Sequence, residues 1–214
     1  METTISPVST ETWQRTMKSK GINVLHISVQ RPSFPGPGKK RRMEHYFAQM
    51  ALQWQTRWEN DLYQKACLAF EDRQSDPAFQ PWCASFHYEI TLWNPPLLSI
   101  RINVQEQGPV ALPVSLCIGE VWDCSSGYPC SLRTFLPAKP YRWKKHLILQ
   151  LQQQAEQRLD SGESLLYPNC LSMIEQTFDP SRFYLSEHGL VIFYPLYSLG
   201  SYGEGIPTFT IPVL

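Results

Sequence analysis

The chain has 214 residues, with 19 Lys+Arg balancing 19 Asp+Glu, 43% hydrophobic content and 13% aromatic content. This length supports one or two small domains, and a globule of this size buries roughly 70% of its unfolded surface, so its core needs no staple. No run of about 18 apolar residues is present, which excludes a membrane-spanning helix.

Residues 1–21 are polar and Ser/Thr-rich, and they read as a disordered or loosely attached arm. They lack the apolar core of a signal peptide, which points to the cytoplasm for the sequence as it stands. Residues 23–30 alternate, with Leu25, Ile27 and Val29 on one side, as a strand does. Residues 31–38 hold three prolines and two glycines and read as a loop. From residue 40 to 73 the spacing predicts a long helix. Tyr46/Phe47, Met50, Trp54, Trp58, Leu62, Ala66 and Ala69/Phe70 recur at three- and four-residue steps. Its first residues, Lys39-Lys40-Arg41-Arg42, oppose the helix dipole. No basic face continues along the helix, so a solvated helix end explains them better than nucleic-acid contact.

Phe86, Tyr88, Ile90 and Leu92 alternate, Asn94-Pro95-Pro96 turns the chain, and Leu98, Ile100, Ile102 and Val104 alternate again. This is a hairpin with one buried face. Residues 110–123 read as a further strand region, with Pro113 at an edge or bulge. A second helix is expected over residues 141–159, with Leu147/Ile148, Leu151, Ala155 and Leu159 as its stripe and Gly162 at its left-handed end. Residues 165–176 suggest a short helix. Two apolar runs then flank Glu187-His188-Gly189 as a hairpin, and a Gly- and Tyr-rich turn leads to a final strand.

The charge is unevenly distributed. Residues 1–74 carry eleven basic and seven acidic side chains, a net of +4, and residues 75–214 carry eight and twelve, a net of −4. Residues 156–187 are the most acidic stretch, with Glu156, Asp160, Glu163, Glu175, Asp179 and Glu187 against Arg158 and Arg182. Six cysteines show no Cys-x-x-Cys spacing and no His beside them, so no zinc site is expected. Cys124 and Cys130 flank a turn and would bridge it only under oxidising conditions.

No catalytic pattern appears. Neither Gly-x-Ser-x-Gly nor a cysteine-nucleophile signature occurs. There is no His-Glu-x-x-His, and His26, His45, His87, His146 and His188 stand singly. The Gly-rich segment at 200–205 does not run into a Lys-bearing helix, so it is not a phosphate cradle. No catalytic residue, metal ligand or cofactor is assigned.

The tail carries Phe183-Tyr184-Leu185, Gly189-Leu190-Val191, Pro195, Tyr197, Tyr202 and Gly205-Ile206-Pro207. It resembles the C-terminal domain of the lysozyme-sensing anti-sigma factors of the RsiV type and of many bacterial envelope proteins. Trp122-Asp123, Gly127, Leu132 and Phe135-Leu136 are similar to the hairpin before that family's long helix. Residues 28–32 with the following helix resemble the small N-terminal domain that accompanies it, which also precedes some polysaccharide deacetylase domains. Where relatives carry a Gly-Gly-Ala-His turn, this chain has Gly108-Pro109-Val110-Ala111, without the His. Family members are mostly extracellular or membrane-anchored.

The expected fold is α+β: an antiparallel sheet with two long helices packed on one face, in two small lobes. Residues 1–21 would be the arm, 22–80 a strand-helix lobe and 81–214 the RsiV-like domain. The expected function is a non-catalytic binding or sensing module of a bacterium, directed at a protein or cell-wall-related ligand. The alternatives are an intracellular scaffold or interaction protein and, third, a hydrolase with a dispersed site. Tyr197 and Tyr202 are the candidate contact residues, because tyrosine offers large area with a polar tip. A neighbouring structural reading has them locking the last strand to the sheet. Glu163 and Glu175 would attract a cationic partner, lysozyme-like by the resemblance. The oligomeric state stays open.

Overall fold

The computed structural model describes residues 8–72, 79–108, 113–136, 142–162 and 164–212. The N-terminal residues that read as an arm form strand β1, Ser9–Ser19. It pairs antiparallel with β2, Ile22–Ser33, from Ser19 against Ile22 to Ser9 against Ser33. Both loop residues, Lys20 and Gly21, have positive φ, 49° and 84°. This is the two-residue hairpin geometry whose twist matches that of paired strands. The strand escapes a reading by pattern because it is exposed along nearly its whole length, with Trp13 and Met17 half-buried. An edge strand without a buried face shows no alternation of hydrophobicity.

The long helix runs as α1, Lys39–Arg57, a widened turn, Trp58–Leu62, and α2, Tyr63–Asp72. Met43, Phe47, Ala51, Trp58, Leu62 and Ala66 are buried along it. A string of four-residue steps drifts by about 40° per step on a regular α-helix. A wider turn at Trp58–Leu62 takes up that drift and keeps both residues inward. Next come β3, Trp82–Asn94, β4, Leu97–Gln107, β5, Val114–Asp123, and the short β6, Tyr128–Pro129. The six strands lie in chain order in one sheet. β2 and β3 pair parallel, so the expected antiparallel sheet is a mixed one. The reason is the connection, since a helical crossover returns the chain in its original direction.

After a single 3₁₀ turn, Leu132–Phe135, come α3, Trp143–Ser161, and α4, Cys170–Gln176. Gly162 caps α3 at φ 70° and donates its N–H to the Leu159 carbonyl. A second sheet follows in the order β7, Phe183–Ser186, β8, Gly189–Phe193, and β9, Thr208–Ile211. The architecture is α+β, with a mixed six-stranded and a three-stranded sheet.

The chain divides into two compact units. The first takes in the residues up to Glu89 with Ile102–Ser115 and Cys124–Gly127, and the second the remainder. In the first unit α1 packs on β2, whose Leu25, Ile27 and Val29 are buried. Glu106 is 6% exposed and accepts from Trp58 Nε1 at 3.0 Å and Arg57 Nε at 2.9 Å. A buried carboxylate is tolerated when its oxygens are satisfied this way. The basic run at the start of α1 has a structural use. Lys39 donates to the Ser125 carbonyl, and Arg42 reaches the carbonyls of Ser126 and Gly127.

In the second unit the small sheet is covered on both faces. Phe183, Leu185, Leu190, Ile192, Phe209 and Ile211 share one core with Leu147, Leu151 and Ala155 of α3 and Ile174 of α4. Tyr184, Val191 and Phe193 face the other way, against Cys117 and Ile206. Burial on both faces explains near-continuous apolar runs in place of alternation. The β9 strand is served by α3, where Gln154 Nε2 and Arg158 Nη2 donate to the Thr210 and Thr208 carbonyls at 2.9 and 2.7 Å. Buried Ser99 ties β4 to this sheet, its hydroxyl accepting the Leu185 N–H at 2.8 Å.

Gly119 of β5 lies against the backbone of β7, and a Cβ there would collide with the Phe183 carbonyl. Gly119→Ala is expected to destabilise the protein by about 3 kcal/mol, the upper range for overpacking. Urea denaturation of the variant beside the wild type measures this.

Glu44 accepts from the Phe34 N–H and from Arg31 Nη1, both at 2.6 Å. Burial works to raise its carboxyl, but these two donors outweigh it and hold the group below its ordinary 4.5. A lowered carboxylate contributes stability above its unfolded value and loses it as pH falls through the folded one. Glu44→Gln should therefore cost most stability at neutral pH. The gap to wild type should narrow as pH drops below 4.5, which thermal melts across pH 3–7 resolve.

Candidate functional site

Two features of the second unit have the character of a site. The first is a cleft of about 380 Å³ built from β5, the segment entering the 3₁₀ turn, the start of α3 and the approach to β7. Val121, Leu132, Trp143 and Phe183 supply its apolar lining, and Glu120, Ser131, Arg133 and Ser181 supply polar groups. Such a mixture, mostly apolar with a few directional groups, is what small-ligand sites use. Each wall has a local cause. Gly119 permits β5 to approach Phe183. Asp179 Oδ1 accepts the Ser181 N–H at 2.9 Å and the Ser181 hydroxyl at 2.6 Å. These bonds, working against burial and helped by Arg182, hold the Asp179 carboxyl below the usual range.

Cys130 also lines the cleft. Burial, reinforced by the charge of Asp123, pushes its thiol upward. A thiol raised in this way is a poor nucleophile, because the thiolate is the reactive form. The β5–β6 register sets Trp122 against Pro129 and Asp123 against Tyr128, and the Cys130 N–H donates to the Val121 carbonyl at 2.7 Å. Cys130 thus stands opposite Val121, not opposite Cys124, and neither cysteine is in a disulfide. Among the described residues no three His, Cys, Asp or Glu side chains gather as a metal would require. No described helix is long and apolar enough to cross a membrane.

The second feature is the loop between β8 and β9. Ser198 N–H donates to the Pro195 carbonyl at 3.1 Å, and Tyr197, at φ 66°, is one of three non-glycine residues with positive φ among the described residues. With Leu196 at negative φ this is a type II turn, whose third position favours Gly or Asn. Tyrosine there carries strain on the order of 1 kcal/mol. Tyr202 sits in the 3₁₀ turn Tyr202–Glu204. The structure brings the two candidate tyrosines together, with ring centroids 6.0 Å apart and planes inclined by 30°. They are 38% and 54% exposed, so their rings present a surface.

The loop is pinned to residues 164–167. Leu166 and Gly200 form a bridge, Tyr167 N–H donates to Leu199 O at 2.8 Å, and Ser201 N–H donates to Leu165 O at 3.1 Å. Glu204 Oε2 accepts from the Leu165 N–H at 2.7 Å and the Ser164 hydroxyl at 3.1 Å. Arg158 Nη1 stands 4.0 Å from Glu204 Oε1. Arg158, Ser161, Ser164 and Glu204 line a polar notch of about 220 Å³.

Of the residues expected to attract a cationic partner, Glu175 is exposed on α4, and Glu163 lies outside the described residues. The cleft and the notch are absent from the sequence reading. The notch has a signal in retrospect, because Glu204 is the one charged residue between position 189 and the C-terminus. The cleft has none, since its lining comes from four separated segments.

Residues 140–213 match the model of a family described as protein of unknown function (DUF3298). A search of curated proteins finds no match. Among solved structures, the chain is similar to a member of the DUF3298 family from Bacteroides fragilis. That likeness has 17% identity and a TM-score of 0.60, covering 96% of this chain and 90% of that one. It is also similar to a DUF3298 family protein from Pseudomonas aeruginosa, at 16% identity and TM-score 0.58, with coverages of 97% and 91%. At such identity the likeness is one of fold.

Alkylation tests the inert character of the cleft thiol. Near pH 7, exposed Cys83 should react with iodoacetamide at least about tenfold faster than Cys130, as read by peptide mass mapping over time.

Proposed function

We propose that the chain is a non-catalytic binding or sensing module of a bacterium, recognising a protein or cell-wall-related ligand. One observation carries this reading: the cleft of the second unit, where Trp143 and Phe183 line an apolar cavity and Ser131, Ser181, Glu120 and Arg133 add polar groups. Aromatic side chains in a cavity supply contact area, and polar groups around them set orientation. The raised Cys130 thiol favours binding over nucleophilic chemistry. The tail residues from Phe183 to Pro207 that resemble the RsiV-type domain support the same reading.

The test is calorimetric titration of the full chain with two probes, a lysozyme and N-acetylglucosamine oligomers. Ser131, exposed at the cleft, is replaced by Trp to obstruct it. At least one probe should bind wild type, and Ser131→Trp should weaken it about tenfold or more, with the melting midpoint kept within about 2 °C. No binding of either probe, or binding indifferent to obstruction, sinks the cleft as the site.

A cationic partner is a second reading, supported by exposed Glu175 and the acidic stretch around it. Association should then slow as ionic strength rises from about 0.05 M to about 0.5 M, because screening shortens the reach of surface charge. Glu163→Lys with Glu175→Lys should lower the on-rate. Salt-independent kinetics would remove the electrostatic part.

A further inference from the structure

We infer that β1 is a dimerisation strand: the edge Ser9–Met17 of one copy pairs antiparallel with the same edge of a second copy, about a two-fold axis at Trp13. This concerns the first unit and is independent of the cleft.

Among the described residues β1 has a neighbouring strand on one side only, β2. Its other side carries a row of backbone N–H and C=O groups that a further strand can satisfy. Proteins commonly blunt such an edge with proline, with a bulge or by keeping it short. β1 has 11 residues and no proline. Its register against β2 shifts between Met17 and Lys18, close to the hairpin turn. Ser9–Met17 is therefore an uninterrupted edge, and its midpoint is Trp13.

The register of a self-pair follows from parity. Along a strand the backbone groups point alternately to one side and the other. Opposed residues of an antiparallel pair are of one kind, both bonded or both not. Two copies of one edge can therefore set odd-numbered residues only against odd, and even against even. An axis at Trp13 opposes Glu11 of each copy to Arg15 of the other, and Thr10 to Thr16. Opposite charges and threonine pairs are cross-strand partners that stabilise a sheet. An axis at Thr12 would set Glu11 against Trp13, and an axis at Gln14 would set it against Met17, so neither matches the charges. Both charged residues have capacity for a second partner. Glu11 meets Arg31 through Oε2 and Arg15 meets Glu59 through Nη1, yet their side chains stay 58% and 53% exposed. A carboxylate offers two acceptor oxygens and a guanidinium five N–H donors.

The face around the axis has the apolar surface that a dimer covers. Trp13 lines a groove of about 260 Å³ with Val29 of β2 and Ala48, Ala51 and Leu52 of α1. Leu52 is exposed. The two-fold axis puts both α1 helices on one face of the joined sheet. Each helix packs on β2, so the pair is separated by three strand spacings, about 14 Å. Packed helices approach to about 8–10 Å, so the two do not collide, and the Trp13 rings take the space between them. The pairing uses the same edge on both copies and so closes on itself without forming a filament.

Analytical ultracentrifugation of the full chain from about 1 to about 200 µM should show a reversible dimer. Glu11→Lys and Arg15→Glu should each weaken it about tenfold or more, because each sets two like-charged pairs across the axis. An equimolar mixture of the two variants should recover dimer within about threefold of wild type, since the heterodimer restores both opposite-charge pairs. The bonds to Arg31 and Glu59 are lost equally whether a variant is alone or mixed, so recovery on mixing reports the interface and not the fold. Hydrogen exchange at outward amides of β1 should slow as concentration rises through the dimer range. A monomer throughout that range overturns the inference, whatever other strand the edge accepts. So does a dimer that tolerates either variant, one that mixing fails to restore, or one that leaves β1 exchange unchanged.

Discussion

Where Gly119 of β5 meets the carbonyl of Phe183, two strands from different sheets approach closely enough to leave no room for a side chain. Much of the second unit depends on that approach. Ser99 adds a directional bond from β4 to the Leu185 N–H. Together these set the small sheet so that one face meets α3 and α4 and the other meets Cys117 and Ile206. The cleft is lined by residues from either side of the close contact, Gly119 and Val121 on β5 and Phe183 on β7. A cleft formed beside a backbone contact is held by that contact, which is the kind of support a preformed site needs.

The tail loop is organised by polar bonds more than by apolar burial. Its backbone pairs with residues 165–167 at Leu166–Gly200 and through the Tyr167 N–H. Glu204 then returns from the 3₁₀ turn to satisfy the Leu165 N–H. Tyr194 at the loop's start is buried and donates its hydroxyl to the Ile174 carbonyl at 3.0 Å, and burial pushes that hydroxyl well above its ordinary value. The result is a loop whose two exposed tyrosines sit on a fixed frame, the usual arrangement for contact residues on a stable scaffold.

The first unit solves a different problem, that of a polar group inside. Glu106 is satisfied by Trp58 and Arg57, and the wide turn Trp58–Leu62 lies at that position. At the other end of the helix, Lys39 and Arg42 are set against carbonyls of the 125–127 turn. Basic residues that oppose the helix dipole are compensated by acceptors outside the helix. Arg31 joins the polar inventory as the shared partner of Glu11 and Glu44.

Periodicity made the two long helices and the β3–β4 hairpin legible, because each buries one stripe or face and so repeats at its own period, whereas the closing strands were legible as short apolar runs flanking turns. It could not reveal β1, which buries no continuous face, or the parallel β2–β3 pairing, which is a property of the crossover. Tyr197 and Tyr202 were visible as residue types; their 6.0 Å approach was not. The cleft and the Arg158–Glu204 notch join segments far apart in the chain, and no local pattern encodes which distant residue will face which. By itself the sequence determined the α+β class, the helical stripes and the lack of a recognisable catalytic motif, all consequences of local chemistry. Only the tertiary structure decided where the cleft and the notch form, because that depends on non-local approaches such as Gly119 to Phe183 and Leu165 to Glu204.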